Sequence, residues 1–273
     1  MFLITGASGQ LGQELIKILP GAIYTTRYDL DITDLYAVKK FIKSNNIDTI
    51  INCAAYTAVD KAEQDQITAS KVNINGPRNL AKSCEKIIHI STDYVFDGLV
   101  HRPYLTEDKT NPVSVYGSTK LAGEKEVLKN SRQSIIIRTA WLYSQYGNNF
   151  VKTMRRLGNE KDNINVVSDQ IGSPTYAADL AKAIVQILPQ ISPENKGIYH
   201  FTNEGVCSWY DFAHEIMKIS GLKCKVNPIP SSAYPTPAKR PFYSVLDKSK
   251  IKEVFNIKIQ HWSNALEQCL KQL

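Results

Sequence analysis

Met1-Phe-Leu-Ile-Thr5-Gly6-Ala-Ser-Gly9-Gln-Leu-Gly12 opens the chain, and the order of these residues decides the fold. Phe2, Leu3 and Ile4 make a short apolar run, the pattern of a buried strand, which breaks at Gly6. From Gln10 to Leu19 the spacing predicts a helix with Leu11, Leu15, Ile18 and Leu19 on one side. Glycines at 6, 9 and 12 permit a tight turn, an approach of the backbone to a pyrophosphate, and close packing of helix on strand. The helix N-terminus then offers free N–H groups and a positive dipole end to phosphate. A glycine triplet placed between the first strand and the first helix points to a dinucleotide.

The alternation continues outward from this unit. Strands are predicted at 2–5, 22–26, 47–52, 86–91 and 134–139, with helical patterns at about 10–19, 33–44, 61–84 and 114–130. Such alternation specifies right-handed βαβ crossovers. The expected class is α/β: a Rossmann-type doubly wound parallel sheet over residues 1–150, with a smaller C-terminal substrate-binding lobe over 151–273. Some segments of that lobe are expected to return to the core. Beyond residue 150 the pattern is less regular and richer in proline, as in Gly172-Ser-Pro-Thr175 and Pro228-Ile-Pro-Ser-Ser-Ala-Tyr-Pro-Thr-Pro237. Helices are predicted there at 176–188, 208–220 and 261–271.

A chain of 273 residues with 43% apolar content can bury a large core. No run reaches the roughly 18 apolar residues of a membrane span, and no secretory signal is visible at the start. The five cysteines are scattered and odd in number, which fits reduced thiols of a cytoplasmic protein. The net charge of +7 comes from dispersed residues, suited to anionic small ligands; no reader motif for nucleic acid is present.

Tyr116-Gly-Ser-Thr-Lys120 places a phenol and an ammonium four residues apart on a helix, hence on one face. A fixed cation is expected to lower the phenol pKa and make it a proton donor for carbonyl/alcohol chemistry. The fourth strand runs Lys86-Ile-Ile-His-Ile-Ser91 into Thr92-Asp93, so Thr92 sits at a carboxyl end, where open α/β sheets bind ligands. Its hydroxyl could orient a substrate carbonyl. Ala54-Ala55-Tyr56, after the third strand, are small enough at their start to let a flat cofactor group lie against the backbone. The second strand ends Thr25-Thr26-Arg27 instead of in the carboxylate that favours NAD. Arg27 could therefore take a 2′-phosphate, and NADPH is expected, with NADH also accepted.

Several strings resemble the dTDP-4-dehydrorhamnose reductase family of the extended short-chain dehydrogenase/reductase superfamily. They are the glycine loop, Asn52-Cys-Ala-Ala-Tyr-Thr-Ala-Val-Asp-Lys-Ala-Glu63, Ser91-Thr-Asp-Tyr-Val-Phe-Asp-Gly98, Val115-Tyr-Gly-Ser-Thr-Lys-Leu-Ala-Gly-Glu124, Arg138-Thr-Ala-Trp-Leu-Tyr143, Gly147-Asn-Asn-Phe150, Asp169-Gln-Ile-Gly-Ser-Pro-Thr175 and Arg240-Pro241. The resemblance implies NAD(P)H-dependent reduction of the C4 ketone of a nucleotide-linked sugar. It also implies roles. Thr92, Tyr116 and Lys120 would be catalytic. Gly6, Ser8, Gly9, Gln10, Leu11 and Gly12 would cover the pyrophosphate, Asp31 and Ile32 would flank the adenine, and Ala54, Ala55 and Tyr56 would line the cofactor. Thr92, Asp93, Val95, Trp141, Asn149 and Arg240 would meet the substrate. Tyr243 stands where the family usually has Asn. No acidic magnesium site like that of some relatives is recognisable, so no metal is expected; a homodimer is allowed.

Two alternatives stand beside this reading: an epimerase or dehydratase on the same scaffold, and a dinucleotide-binding regulatory subunit. An intact Thr92, Tyr116 and Lys120 set disfavours the second. His89, in an apolar strand, Asp97 and Glu107, in loops, and Trp209, opening a helix, are expected to be structural.

Overall fold

The computed structural model describes residues 1–273. Its centre is a six-stranded, all-parallel sheet built from β1 (Phe2–Thr5), β2 (Ile23–Thr25), β3 (Thr49–Asn52), β4 (Lys86–Thr92), β5 (Gln133–Thr139) and, much later in the chain, β10 (Gly197–His200). The order is β10-β5-β4-β3-β1-β2. The direction of winding reverses between β1 and β3, which defines the ligand crevice at their carboxyl ends.

Both faces of the sheet are covered, as a doubly wound sheet requires. On one face α1 (Gln10–Ile18) and α8 (Ala177–Ile187) pack with α10 (Ser249–Phe255), so that Ile4, Leu15, Ile137, Ile184 and Phe255 share one core. On the other face α2 (Leu35–Ser44), α5 (Gly76–Ser83) and α6 (Val115–Asn130) close over Leu3, Ile50, Ile87 and Ile136. Branched aliphatic residues fill these strands because both of their faces are dry.

The five early strands and the flanking helices fall within a few residues of their predicted places. The helix predicted at 61–84 does not run unbroken. It divides into α3 (Val59–Ala62), α4 (Gln66–Ser70), a π turn (Lys71–Asn75) and α5. Asp65 caps α4 by accepting the Thr68 N–H, and Pro77 begins α5. Those local hydrogen bonds compete with a continuous helix.

The second half is more ordered than its proline content implied. It supplies α7 (Phe150–Glu160), α9 (Trp209–Ile219) and α11 (Trp262–Leu270), which cover a parallel ladder of β7 (Asn163–Val167) with β12 (Lys225–Ile229). Val151, Phe212, Ile216 and Leu266 form that core. Short strands pair among themselves as two further ladders, β6 (Leu142–Tyr143) parallel with β9 (Thr175–Tyr176) and β8 (Ile171–Gly172) antiparallel with β11 (Cys207–Ser208). No helix is long and apolar enough to cross a membrane.

Candidate active site

Gly6 has φ +69, and a Cβ there would stand 2.6 Å from the Ala54 nitrogen. The turn after β1 and the strand end of β3 thus touch backbone to backbone at the switch point. Gly12 is as constrained, since its Cβ would fall 2.5 Å from the Gly6 carbonyl. Gly9 caps α1 without any side-chain hydrogen bond. The first N–H groups of α1 therefore have no partner inside the helix. Ser8 and Gly9 are exposed and Gln10 is half-buried, while Leu11 turns into the core. This open, uncapped cradle fits a dinucleotide pyrophosphate.

Asp31 is exposed and accepts the Thr33 N–H; Ile32 is buried beneath Gly76. At the tip of β2, Arg27 is exposed, with its guanidinium carbon 4.8 Å from the Tyr28 ring centre. Asp29, the nearest carboxylate in sequence, is occupied by the Thr26 N–H and hydroxyl at 2.8 and 2.7 Å. Ala54, Ala55 and Tyr56 are half-buried along the cleft. Tyr56 is pinned by Asn73 of the π turn, whose Oδ1 accepts the Tyr56 N–H (2.9 Å) and whose Nδ2 donates to the Tyr56 carbonyl (3.2 Å) and to Thr119 (3.1 Å). Sequence periodicity could not reveal Asn73, because a π turn leaves no apolar pattern; such turns cluster at functional sites.

The candidate reactive groups are carried by β4 and α6. Ser114 caps α6 by accepting the Gly117 N–H, and Glu63 accepts the Val115 N–H at 2.9 Å. Gly117 is needed one residue after Tyr116, because a Cβ would lie 2.2 Å from the Tyr94 carbonyl. That contact brings α6 against the turn after β4, where the Tyr94 and Tyr116 rings meet edge-on at 5.5 Å. Thr92 donates to Asp93 Oδ1 at 3.0 Å and accepts the Tyr94 N–H at 3.2 Å. Lys120 is buried and donates to the Ile90 carbonyl at 2.6 Å.

The electrostatics depart from the expectation for Tyr116. Its pKa is pushed up to about 12, because burial against the cleft wall outweighs the lowering by a Thr92 hydrogen bond. The Lys120 ammonium turns to the Ile90 carbonyl, and burial draws its own pKa down to about 8. Asp93 rises to about 6, chiefly by burial, with hydrogen bonds from Thr92 and Ser244 opposing. Its Oδ2 is buried with no partner in the chain.

Other site candidates are placed less simply. Val95 is wholly buried with Phe96, Tyr104 and Leu246, so its side chain has no free surface for a ligand. Asn149 caps α7 and donates to Gln10 Oε1 at 2.9 Å, joining the lobe to the glycine loop. Arg240 is engaged by Asp60 through two bonds of 3.2 and 2.8 Å, and the same carboxylate accepts the Ala238 N–H at 3.1 Å. From there the chain runs as a strap over the cleft. Pro241 covers Gly98, and Phe242 and Ser244 bond to Ile171 at 2.7 and 2.8 Å. Ser244, overlooked in the sequence, ends this strap beside Asp93; Tyr243 bridges to Ile171.

Trp141 has φ +50, an unusual backbone for a bulky residue. Trp209, expected to be structural, stacks on it at 3.6 Å and 9°. His89 is buried and neutral by desolvation, bonded to Asn52 at 2.9 Å. Asp97 is a loop carboxylate held by Tyr104 and Asn111, and Glu107 pairs with Lys250.

The family model described as RmlD substrate binding domain matches residues 1–273. The dTDP-4-dehydrorhamnose reductase of Aggregatibacter actinomycetemcomitans is 44% identical, over 97% of this chain and 96% of that one. A crystal structure of a dTDP-4-dehydrorhamnose reductase from Clostridium acetobutylicum superposes with TM-score 0.95 at 45% identity, covering 99% and 98% of the two chains. That of the Bacillus anthracis enzyme in complex with NADP gives TM-score 0.96 at 38% identity, covering 100% and 99%.

Proposed function

The chain belongs to the RmlD substrate binding domain family, and from that membership together with the site we propose that it is an NADPH-dependent oxidoreductase, with NADH also serving. It reduces the C4 ketone of dTDP-4-dehydro-β-L-rhamnose to the alcohol of dTDP-β-L-rhamnose. The observation that carries the reading is the approach of α6 to the end of β4, where Tyr116 packs edge-on against Tyr94 and Lys120 donates to the Ile90 carbonyl two residues before Thr92.

A bound nicotinamide supplies the hydride; everything else is asked of the chain. Gly9, Gln10 and Leu11 hold the pyrophosphate on the N-terminus of α1, and Ala54 to Tyr56 form the floor. Thr92 orients the ketone oxygen. Tyr116, whose raised pKa keeps it protonated at neutral pH, gives its proton to the developing C4 alkoxide. Lys120 stands as the adjacent cation and binds the nicotinamide ribose. The unpartnered Asp93 Oδ2 is available to a sugar hydroxyl, and Trp141 with Trp209 walls the sugar.

Oxidation of NADPH and NADH is the test, followed by absorbance with dTDP-4-dehydrorhamnose generated in situ. Substrate-dependent oxidation, faster with NADPH, is the expected outcome; dinucleotide binding without turnover would overturn the reading. Arg27 gives a sharper check. With Asp29 held by Thr26, Arg27→Ala is expected to raise the KM for NADPH about tenfold, the loss of one charge-assisted bond, and to leave the KM for NADH unchanged. Equal effects on both cofactors would count against a 2′-phosphate contact.

A further inference from the structure

Behind the reactive face of α6 lies a buried ion pair that the proton transfer does not itself require. Glu124 falls one turn beyond Lys120 and two beyond Tyr116, on the same side of the helix. Its carboxylate accepts from Arg138 Nε at 2.9 Å, from Arg138 Nη2 at 2.7 Å and from the Ser91 hydroxyl at 2.5 Å. Glu124 and Arg138 are each 1% exposed. The guanidinium lies over the Phe96 ring at 5.0 Å, and its Nη1 has no hydrogen-bond partner.

Stability does not account for this arrangement. Two ions buried together lose their hydration, and well-packed apolar side chains in their place are often as stable or more so. Position accounts for it better. Ser91 immediately precedes Thr92 on β4, and Arg138 sits opposite Ser91 in the register of β4 with β5. One carboxylate thus fastens the helix carrying Tyr116 and Lys120 to the strand carrying Thr92.

We propose that Glu124 is a positioning residue for the reduction: held by Arg138 and Ser91, it fixes Tyr116 and Lys120 against Thr92 and supplies the negative neighbour that keeps Lys120 cationic. The inference rests on the reductase reading above. The groups around Lys120 leave this task to Glu124. Cys53 at the end of β3 is pushed up to about 12 by burial, and His89 on β4 is kept neutral by burial. On β10, beyond Arg138, His200 is held down near 3, chiefly by burial, and is neutral as well. Tyr116 retains its proton and Asp93 faces the phenol from the turn after β4. Glu124 is therefore the anion opposing the desolvation of the ammonium. Turnover should accordingly fall as pH rises through the Lys120 pKa, which burial brings to about 8, and loss of the Glu124 charge should move that limb towards acid.

The test is kcat and KM against pH for the parent, Glu124→Gln, Glu124→Asp and the double variant Glu124→Met/Arg138→Met, with NADPH binding as an independent readout. Glu124→Gln is expected to lower kcat about 10²-fold, the scale of a small misplacement of reacting groups. It should leave the KM for the nucleotide sugar near the parent's and shift the alkaline limb down by about one pH unit. Glu124→Asp, which keeps the charge, should restore part of kcat and most of the limb. The double variant keeps the volume and leaves no unpaired ion, so it should fold and bind NADPH while retaining the low kcat and a smaller acid shift. If Glu124→Gln does not fold, the double variant decides alone. A double variant with the parent's kcat and pH profile would show the pair to be merely structural and overturn the inference. A parent chain without turnover would instead strike the reductase reading, and the inference would fall with it.

Discussion

Tyr116→Phe is expected to lower kcat by about 10²–10⁴-fold, the usual contribution of one positioned general acid, while the Kd for NADPH stays near the parent's. The substitution removes one oxygen and little else. The ring still packs edge-on against Tyr94 at 5.5 Å, and Gly117 still lets α6 approach the Tyr94 carbonyl. Nothing in the glycine cradle or at Ala54 to Tyr56 depends on the hydroxyl, so cofactor affinity has no reason to change. The high phenol pKa, about 12, makes Tyr116 a proton source throughout the neutral range. Single-turnover rates together with a fluorescence titration of NADPH check both halves of the expectation. A variant within about tenfold of the parent would move the acid role to another neighbouring proton holder, Lys120 at about 8 or Asp93 at about 6.

Gly6→Ala is expected to damage both fold and cofactor binding. An alanine at φ +69 meets the left-handed penalty of about 1–2 kcal/mol. Its methyl would also lie 2.6–2.8 Å from Cys53 and Ala54 backbone atoms, which cannot rotate away. Separating β1 from β3 to relieve that overlap costs about 1–3 kcal/mol more. The sum, about 2–5 kcal/mol, corresponds to a fall in Tm of roughly 5–15 °C for a chain of this size. The same shift parts the pyrophosphate cradle from the floor at Ala54, so the Kd for NADPH should rise by about tenfold or more. Scanning calorimetry and the NADPH titration measure the two effects separately. An unchanged Tm would mean that the switch-point backbones are not in the contact described.

The parallel sheet was legible, and the candidate residues Tyr116 and Lys120 could be singled out, because each rests on a local rule. A strand, a glycine turn and an amphipathic helix occupy the first nineteen residues in order, and Tyr116 and Lys120 are neighbours by helical spacing alone. What escaped is non-local. β10 is only Gly197–His200, and nothing in those four residues announces that they complete a sheet begun at Phe2. The π turn that sets Asn73 against Tyr56 has no apolar period. Asp60 and Arg240 are far apart in sequence, and only the fold shows that Asp60 accepts two hydrogen bonds from Arg240 and a third from the Ala238 N–H at the strap's start. The phenol's pKa was misjudged for a different reason: the spacing places a cation near Tyr116, but the balance between that charge and desolvation depends on burial, which spacing does not give.

The late arrival of β10 bears on how the protein is made. Thr92, Tyr116 and Lys120 leave the ribosome well before Gly197–His200, Ser244 and Ile257, yet β5 has an unpaired edge until the first of these is available, and the core beneath α1 needs the last. During synthesis the N-terminal half therefore carries its full set of reactive side chains on a sheet with one open border and one uncovered apolar face. Such an intermediate is prone to sticking and poor at excluding water. Competence of the proposed site is thus expected only of the finished polypeptide: a fragment ending after β5 should yield no working unit, and the last third of the chain governs whether the first half becomes useful.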